Sequence, residues 1–287
     1  MKEIVIISGK GGTGKTSITA AFAHLAEKAV LADCDVDAAD LHLILKPNIK
    51  ERGEFKAGKV AIIDQENCTL CGICSVRCRF GAVKMKDDFY YINGISCEGC
   101  KVCEIVCPCN AIRLEEKVSG DWYVADSKKH PFIYAHLRPG EENSGKLVSL
   151  VRGKARDYAK ENNIDTIIID GPPGIGCPVI ASVGGVNLAL IVTEPTQSGM
   201  HDLKRIFELT EHFKIPTCIC INKFDLNTDI TKDIEKFCEA KNVNVVGRVP
   251  YDVSVTKAML QGLSIVEYAE GLVSEEIKRM WERLWKY

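Results

Sequence analysis

No run of apolar residues in this 287-residue chain approaches the roughly 18 needed to span a bilayer. Net charge is nearly absent too. The formal value is −2, which argues against a nucleic-acid partner, since a polyanion favours a basic face. No export signal is visible, because Met1-Lys2-Glu3 runs straight into the apolar Ile4-Val5-Ile6-Ile7. Without such a signal the 14 cysteines are not expected to form a disulfide framework, and nine of them crowd between Cys68 and Cys109. That pattern points to metal in a reducing cytoplasm. A 46% hydrophobic content is ample for a globular core, and the length fits one or two domains.

What is present begins at once. Gly9-Lys10-Gly11-Gly12-Thr13-Gly14-Lys15-Thr16 is G-x-x-x-x-G-K-[ST]. It lies between a buried-strand pattern and a helical one from Ser17 to Ala29, the context a phosphate-cradling loop requires. Its glycines let backbone N–H groups turn toward phosphates, and a helix N-terminus adds its positive end. Lys15 is expected to reach the β/γ-phosphates, the Thr16 hydroxyl to ligate Mg²⁺, and Ser17 to complete the loop. The bland alternative is a glycine-rich turn with no ligand.

Lys10, directly after the first glycine, makes the octet G-K-G-G-T-G-K-T. It resembles the deviant phosphate loop of the MinD, ParA and nitrogenase iron-protein superfamily. The resemblance implies ATP, a homodimer with two nucleotides sandwiched at its interface, and Lys10 acting on the partner's nucleotide. It also implies roles for residues further on. Asp33-Cys34-Asp35 looks like the first switch, with Asp35 orienting the attacking water near Mg²⁺. Asp37 and Asp40 are equally readable as helix caps. Asp170-Gly171-Pro172-Pro173-Gly174, at the end of the apolar run Thr166 to Ile169, is similar to the second switch, with Asp170 holding Mg²⁺ through water. Asn222, in Asn222-Lys223-Phe224-Asp225, would contact adenine, with Pro250 and Tyr251 wrapping the base. Cys177 has the same offset from the switch aspartate as a cluster-ligating cysteine of the nitrogenase protein. It reads as a thiol at the dimer axis or as a buried helix-start cysteine.

The middle of the chain carries an internal repeat. Cys68-x2-Cys71-x2-Cys74-x3-Cys78 is followed by Cys97-x2-Cys100-x2-Cys103-x3-Cys107-Pro108. Each matches the bacterial ferredoxin run, in which the fourth cysteine serves the other cluster. One [4Fe–4S] cluster should therefore use Cys68, Cys71, Cys74 and Cys107, and the other Cys97, Cys100, Cys103 and Cys78. Zinc is the rival for paired cysteines. Arg79 stands where the run usually has proline, and its N–H is free to bond a sulfur. Cys109 reads as a small buried residue, as do Cys218, Cys220 and Cys238. The resemblance to a two-cluster ferredoxin covers about Val60 to Lys117.

The expected fold is α/β. A doubly wound, mostly parallel sheet (residues 1–59 and 118–287) receives an inserted ferredoxin-like module at 60–117. Lys50 to Lys59 is expected as a charged linker. Asn143 or Ser144 is expected to cap a helix from Leu147 to Asn162. In the C-terminal helix, the stripe of Val273, Ile277, Met280, Trp281 and Leu284 is expected to pack on the sheet rather than hold membrane. The function this implies is a cytoplasmic, Mg²⁺-dependent ATPase whose dimer switch is coupled to electron transfer, or to cluster or metal delivery, to an unidentified partner protein. Two alternatives stand beside it. One is a positioning or partition switch with structural clusters. The other is a ligase like the cobyrinic acid diamide synthetases, whose glutamine-hydrolysing domain the sequence does not show.

Overall fold

A computed structural model describes residues 1–142 and 145–287. Asn143 and Ser144, the expected caps, lie outside the described residues. In chain order the elements are β1 (Lys2–Ser8), α1 (Lys15–Leu25), β2 (Val30–Asp33), α2 (Leu41–Leu45), β3 (Asn48–Ile63), α3 (Ile73–Arg77), β4 (Val83–Lys86), β5 (Phe89–Ile92) and α4 (Val102–Ile105). Then follow β6 (Ile112–Asp126), β7 (Pro131–Leu137), α5 (Lys146–Glu161), β8 (Thr166–Pro173), α6 (Cys177–Val183), β9 (Leu188–Thr193), α7 (Gln197–His212) and β10 (Thr217–Asn222). A 3-10 turn at Phe224–Leu226 leads to α8 (Thr228–Ala240), β11 (Asn244–Val249), α9 (Val253–Gln261), α10 (Ile265–Tyr268) and α11 (Leu272–Leu284).

Nine strands form one sheet in the order β11-β10-β9-β1-β8-β2-β7-β6-β3, parallel throughout from β11 to β7. The central strands are continuous apolar runs because both faces are covered. Ile4, Ile6, Leu31, Ile168 and Leu190 share a core with Phe22 of α1 and Ile277 and Met280 of α11. The alternating Val5, Ile7, Ile169 and Ile191 are equally buried on the other face, where α5, α6 and α7 lie. The terminal-helix stripe packs as expected, with Trp281 half-buried beside Phe22. Cys218, Cys220 and Cys238 are core residues.

Three local expectations are corrected. α1 ends at Leu25 rather than Ala29, because Ala26 turns to an extended conformation. β8 does not stop at Asp170 but pairs on to Pro173 against Ser8. The charged linker from Lys50 to Lys59 is instead part of β3. Its polar residues hid a two-residue alternation in which Gly53, Phe55 and Ala57 are half-buried and their neighbours exposed. β3 ends the sheet, and charge on an edge strand prevents pairing with other chains.

The chain divides into two compact units. The first is 1–52, 122–136 and 143–287, and the second 53–121 and 137–142. Within the second, β4 and β5 form an antiparallel pair, and Ala61, Ile63, Cys74, Val83 and Ile112 make a small core.

Candidate functional site

In the first unit a cleft of about 520 Å³ opens at the carboxyl ends of β1, β2 and β8, where ligands bind in open α/β sheets. Gly11, Gly12, Gly14, Lys15, Thr16 and Ser17 line it together with Asp35, Asn222, Pro250 and Tyr251. Gly9 and Lys10 do not line it. The loop's shape depends on Gly14, which precedes α1 in the left-handed region at φ 92°. A Cβ there would lie 2.4 Å from Asn222 Nδ2. That amide donates to Thr13 O at 2.7 Å and ties β10 to the phosphate loop. The Thr13 hydroxyl is buried and has no hydrogen-bond partner among the described residues. An orphaned donor in this loop fits a phosphate oxygen.

Lys15 is 5% exposed and donates to Asp35 Oδ2 at 3.4 Å. Asp170, fully buried, accepts from Thr16 Oγ1 at 2.7 Å and from Thr19 Oγ1 at 3.0 Å. Burial raises the carboxyl pKa of Asp170, against the opposing pull of Lys15 and the two hydroxyls. Burial also pushes Asp35 up to about 6, with Lys15 opposing and Asp170 adding to the shift. A magnesium ion at Thr16 would offset this crowding of carboxylates, and the oxygen-rich donor set suits a hard cation.

Asp37 and Asp40 line the same cleft. Asp40 occupies the residue before α2, but its side chain caps nothing. Asp33 takes that role, accepting from Leu41 N at 3.3 Å and Asp35 N at 3.0 Å. Val249, Val255 and Met259 add apolar lining beside Pro250 and Tyr251, and Met259 Sδ accepts from Ser17 Oγ at 3.2 Å. Tyr251 N donates to Asp225 Oδ1 at 2.7 Å, which fixes the turn after β11.

Lys10 folds back on its own chain. It pairs with Glu194 and bonds Thr196 Oγ1 at 3.2 Å and Ser198 Oγ at 3.1 Å. Lys223 also pairs with Glu194, at 3.2 Å, and donates to Gly12 O at 3.2 Å. Glu194 and Thr19 were not singled out from sequence. Thr19 carries a usable signal as a hydroxyl one turn beyond Thr16, whereas the partners of Glu194 are distant in sequence. Cys177 begins α6 and is exposed, which corrects the buried reading of it.

The second unit holds the cysteine repeat as two cavities. Cys68, Cys71, Cys74 and Cys107 line one, and Cys78, Cys97, Cys100 and Cys103 line the other. The repeat is visible in the backbone. Ala82 N donates to Cys78 Sγ at 3.3 Å, and Ala111 N to Cys107 Sγ at 3.3 Å. Gly81 and Asn110 take the same left-handed conformation in the two copies. Ala82 is thus a donor to Cys78 Sγ, and Arg79 lies over the Phe80 ring at 5.4 Å. Cys109 is half-exposed rather than buried, and it lines the first cavity. Among the described residues no three His, Cys, Asp or Glu side chains stand close enough to hold a single metal ion.

This architecture has known counterparts. An uncharacterized protein of Methanocaldococcus jannaschii is 36% identical over 290 residues, covering 98% of this chain and 96% of that one. An iron–sulfur cluster carrier protein of the same organism is 23% identical over 305 residues, covering 98% of this chain and 83% of its own. A McdA–ATP complex from Cyanothece superposes with a TM-score of 0.60 at 17% identity, covering 100% of this chain and 95% of that one. The profile of the CobQ/CobB/MinD/ParA nucleotide-binding domain matches residues 4–265, and the chain belongs to that family.

Proposed function

We propose that this protein binds and hydrolyses ATP with Mg²⁺ as a homodimer, and that the cycle governs two [4Fe–4S] clusters for electron delivery, or for cluster delivery, to a partner protein. The observation that carries this reading is the sorting of the eight repeat cysteines. Each cavity takes three from one copy and the fourth from the other, the ligand set of a two-cluster ferredoxin. An iron–sulfur carrier among the relatives supports the same direction.

In the cleft, Lys15 and the loop N–H groups hold the phosphates, and Thr16 with Asp170 holds the Mg²⁺. Bound Mg²⁺ would neutralise developing charge on the phosphates. Asp35, one salt bridge from Lys15, orients the attacking water. Asn222, Pro250 and Tyr251 contact the adenine. Lys10 leaves Glu194 to reach the partner's nucleotide. The clusters would supply one-electron chemistry; the chain's part is to hold them with eight thiolates and to donate backbone N–H bonds to Cys78 and Cys107. Cys177, exposed at the start of α6, follows the second switch and is a thiol available at the proposed dimer axis.

The test is an electron paramagnetic resonance spectrum of the anaerobic, reduced protein with and without MgATP. A nucleotide-dependent change in the signals or their midpoint potentials is expected. Iron-loaded protein whose spectrum ignores ATP would favour a positioning switch with the clusters as structural staples. Protein that carries iron and sulfide yet neither binds nor cleaves ATP would end the proposal.

A further inference from the structure

The two cysteine cavities are not equivalent. The repeat spacing that aligns Cys78 with Cys107 aligns Phe80 with Cys109. Phe80 lines its cavity and offers no ligand atom. Cys109 lines the other cavity together with four thiols. Its Sγ is 3.6 Å from Cys107 Sγ, about the contact distance of two sulfurs, and 3.8 Å from Thr69 Oγ1. The two thiols are separated only by Pro108, whose ring limits the backbone between them. Asn110 follows in the left-handed region at φ 51°. Both sulfurs are therefore presented to one corner of the cavity that Cys68, Cys71 and Cys74 also line.

We propose that Cys109 is an alternative thiolate ligand for the corner filled by Cys107, so that this cluster alone can be held through either sulfur. The proposal rests on the cluster-binding reading above. The exchange is balanced and moves no electrons. Cys109 Sγ gives up a proton and forms a bond to iron, while Cys107 Sγ leaves the iron and takes a proton. A cluster that changes ligand without losing its fourth thiolate has a route off the protein that the cluster beside Phe80 lacks. The first cavity is then the exchangeable site and the second the permanent one.

The full chain is reconstituted anaerobically, and iron and sulfide are counted alongside the low-temperature spectrum. Two cubanes require about eight irons per chain. Cys107→Ala is expected to keep about eight irons, with both cubanes retained and one reduced signal shifted. Cys107→Ala/Cys109→Ala is expected to lose iron and, when oxidised, to show the signal of a three-iron cluster. Cys78→Ala, which has Phe80 in the corresponding place, is expected to show the same loss. If Cys107→Ala already loses iron as the double variant does, the proposal is overturned. If the wild-type chain binds no iron, the cluster reading itself fails, a different result. Should Cys107→Ala not fold, Cys109→Ala serves instead. It is expected to keep its full iron but to release one cluster to a ferrous chelator several-fold more slowly. Release at the wild-type rate overturns the proposal.

Discussion

Lys10 and Glu194 form an ion pair within one chain, with side chains 28% and 16% exposed. Burial works against ionisation of Glu194, but hydrogen bonds from Lys10 and Lys223 override it and hold the carboxyl below its usual range. The pair parks the lysine that the family resemblance sends to the partner's nucleotide. An ion pair with this exposure contributes on the order of 1 kcal/mol. In the proposed dimer each chain must surrender it, so a chain without it is already poised.

Two such pairs are surrendered per dimer, about 2 kcal/mol together, so Glu194→Gln should dimerise with MgATP at about thirty-fold lower protein concentration. Lys10→Ala should lose both the ATP-dependent dimer and most of the hydrolysis. Sedimentation velocity with a non-hydrolysable ATP analogue measures the first, and phosphate release the second. Unchanged dimerisation and turnover in Lys10→Ala would remove the sandwich model.

Asp35 supplies a pH dependence whose sign is opposite to that of an ordinary salt-bridged acid. Its pKa is about 6 in the folded chain against a reference of 3.8. Between those values the folded state binds more protons than the unfolded one, so stability falls as pH rises through the window. Asp33 and Asp170 are raised by burial and by their acidic neighbours, and add slope of the same sign. Nucleotide-free protein should lose stability to urea between about pH 4 and pH 6, and Asp35→Asn should flatten part of that slope. If Asp35 orients the attacking water as proposed, hydrolysis should rise over the same range, with a midpoint near 6 in kcat/KM. A stability profile identical in wild type and Asp35→Asn would contradict the assignment.

The phosphate loop, the acids Asp35 after β2 and Asp170 within β8, and the cysteine runs were legible because each lies in a contiguous motif whose spacing encodes its geometry. The parallel sheet was legible because its strands are apolar runs ending in ligand-facing polar residues. Glu194 was missed since a lone acid after a strand has no local partner to mark it. Its lysines come from residues 10 and 223. Cys109 was misread for a related reason: its neighbours include Thr69, 40 residues away. The strand at Lys50 to Lys59 was hidden by charge that serves the sheet edge.

Gly14 tests the loop geometry without touching a charge. Alanine there would adopt a left-handed conformation at a cost of roughly 1 kcal/mol. Its Cβ would also push Asn222 off the Thr13 carbonyl. Gly14→Ala should lower the Tm by a few degrees, about 2–4 °C per kcal/mol in a chain of this size class. It should weaken nucleotide binding far more, at least ten-fold by fluorescence titration with a labelled ADP. Binding within two-fold of wild type would show that the loop tolerates a different path.

Glu3 offers a prediction about the core that no motif announces. It sits at the second residue of β1, and its carboxylate accepts from Arg152 Nη2 at 2.7 Å and from Arg156. The Glu3 and Arg152 side chains are 7% and 6% exposed, and Arg152 also donates to the carbonyls of Ala181 in α6 and of Gly184 just after it. The cluster fastens α5 to both β1 and the segment following the second switch. Burial alone would raise the Glu3 pKa, but the two guanidiniums override it and bring it below the usual value. The stability this provides is present at neutral pH and lost on acidification through the lowered pKa. Removing one member of a buried pair strands the other charge and costs about 3–5 kcal/mol. Glu3→Gln should therefore lower the urea midpoint at pH 7 and narrow its difference from wild type as the pH falls below about 4, the range where carboxylates protonate. A loss that stays constant with pH would mean that Glu3 matters for packing rather than for its charge.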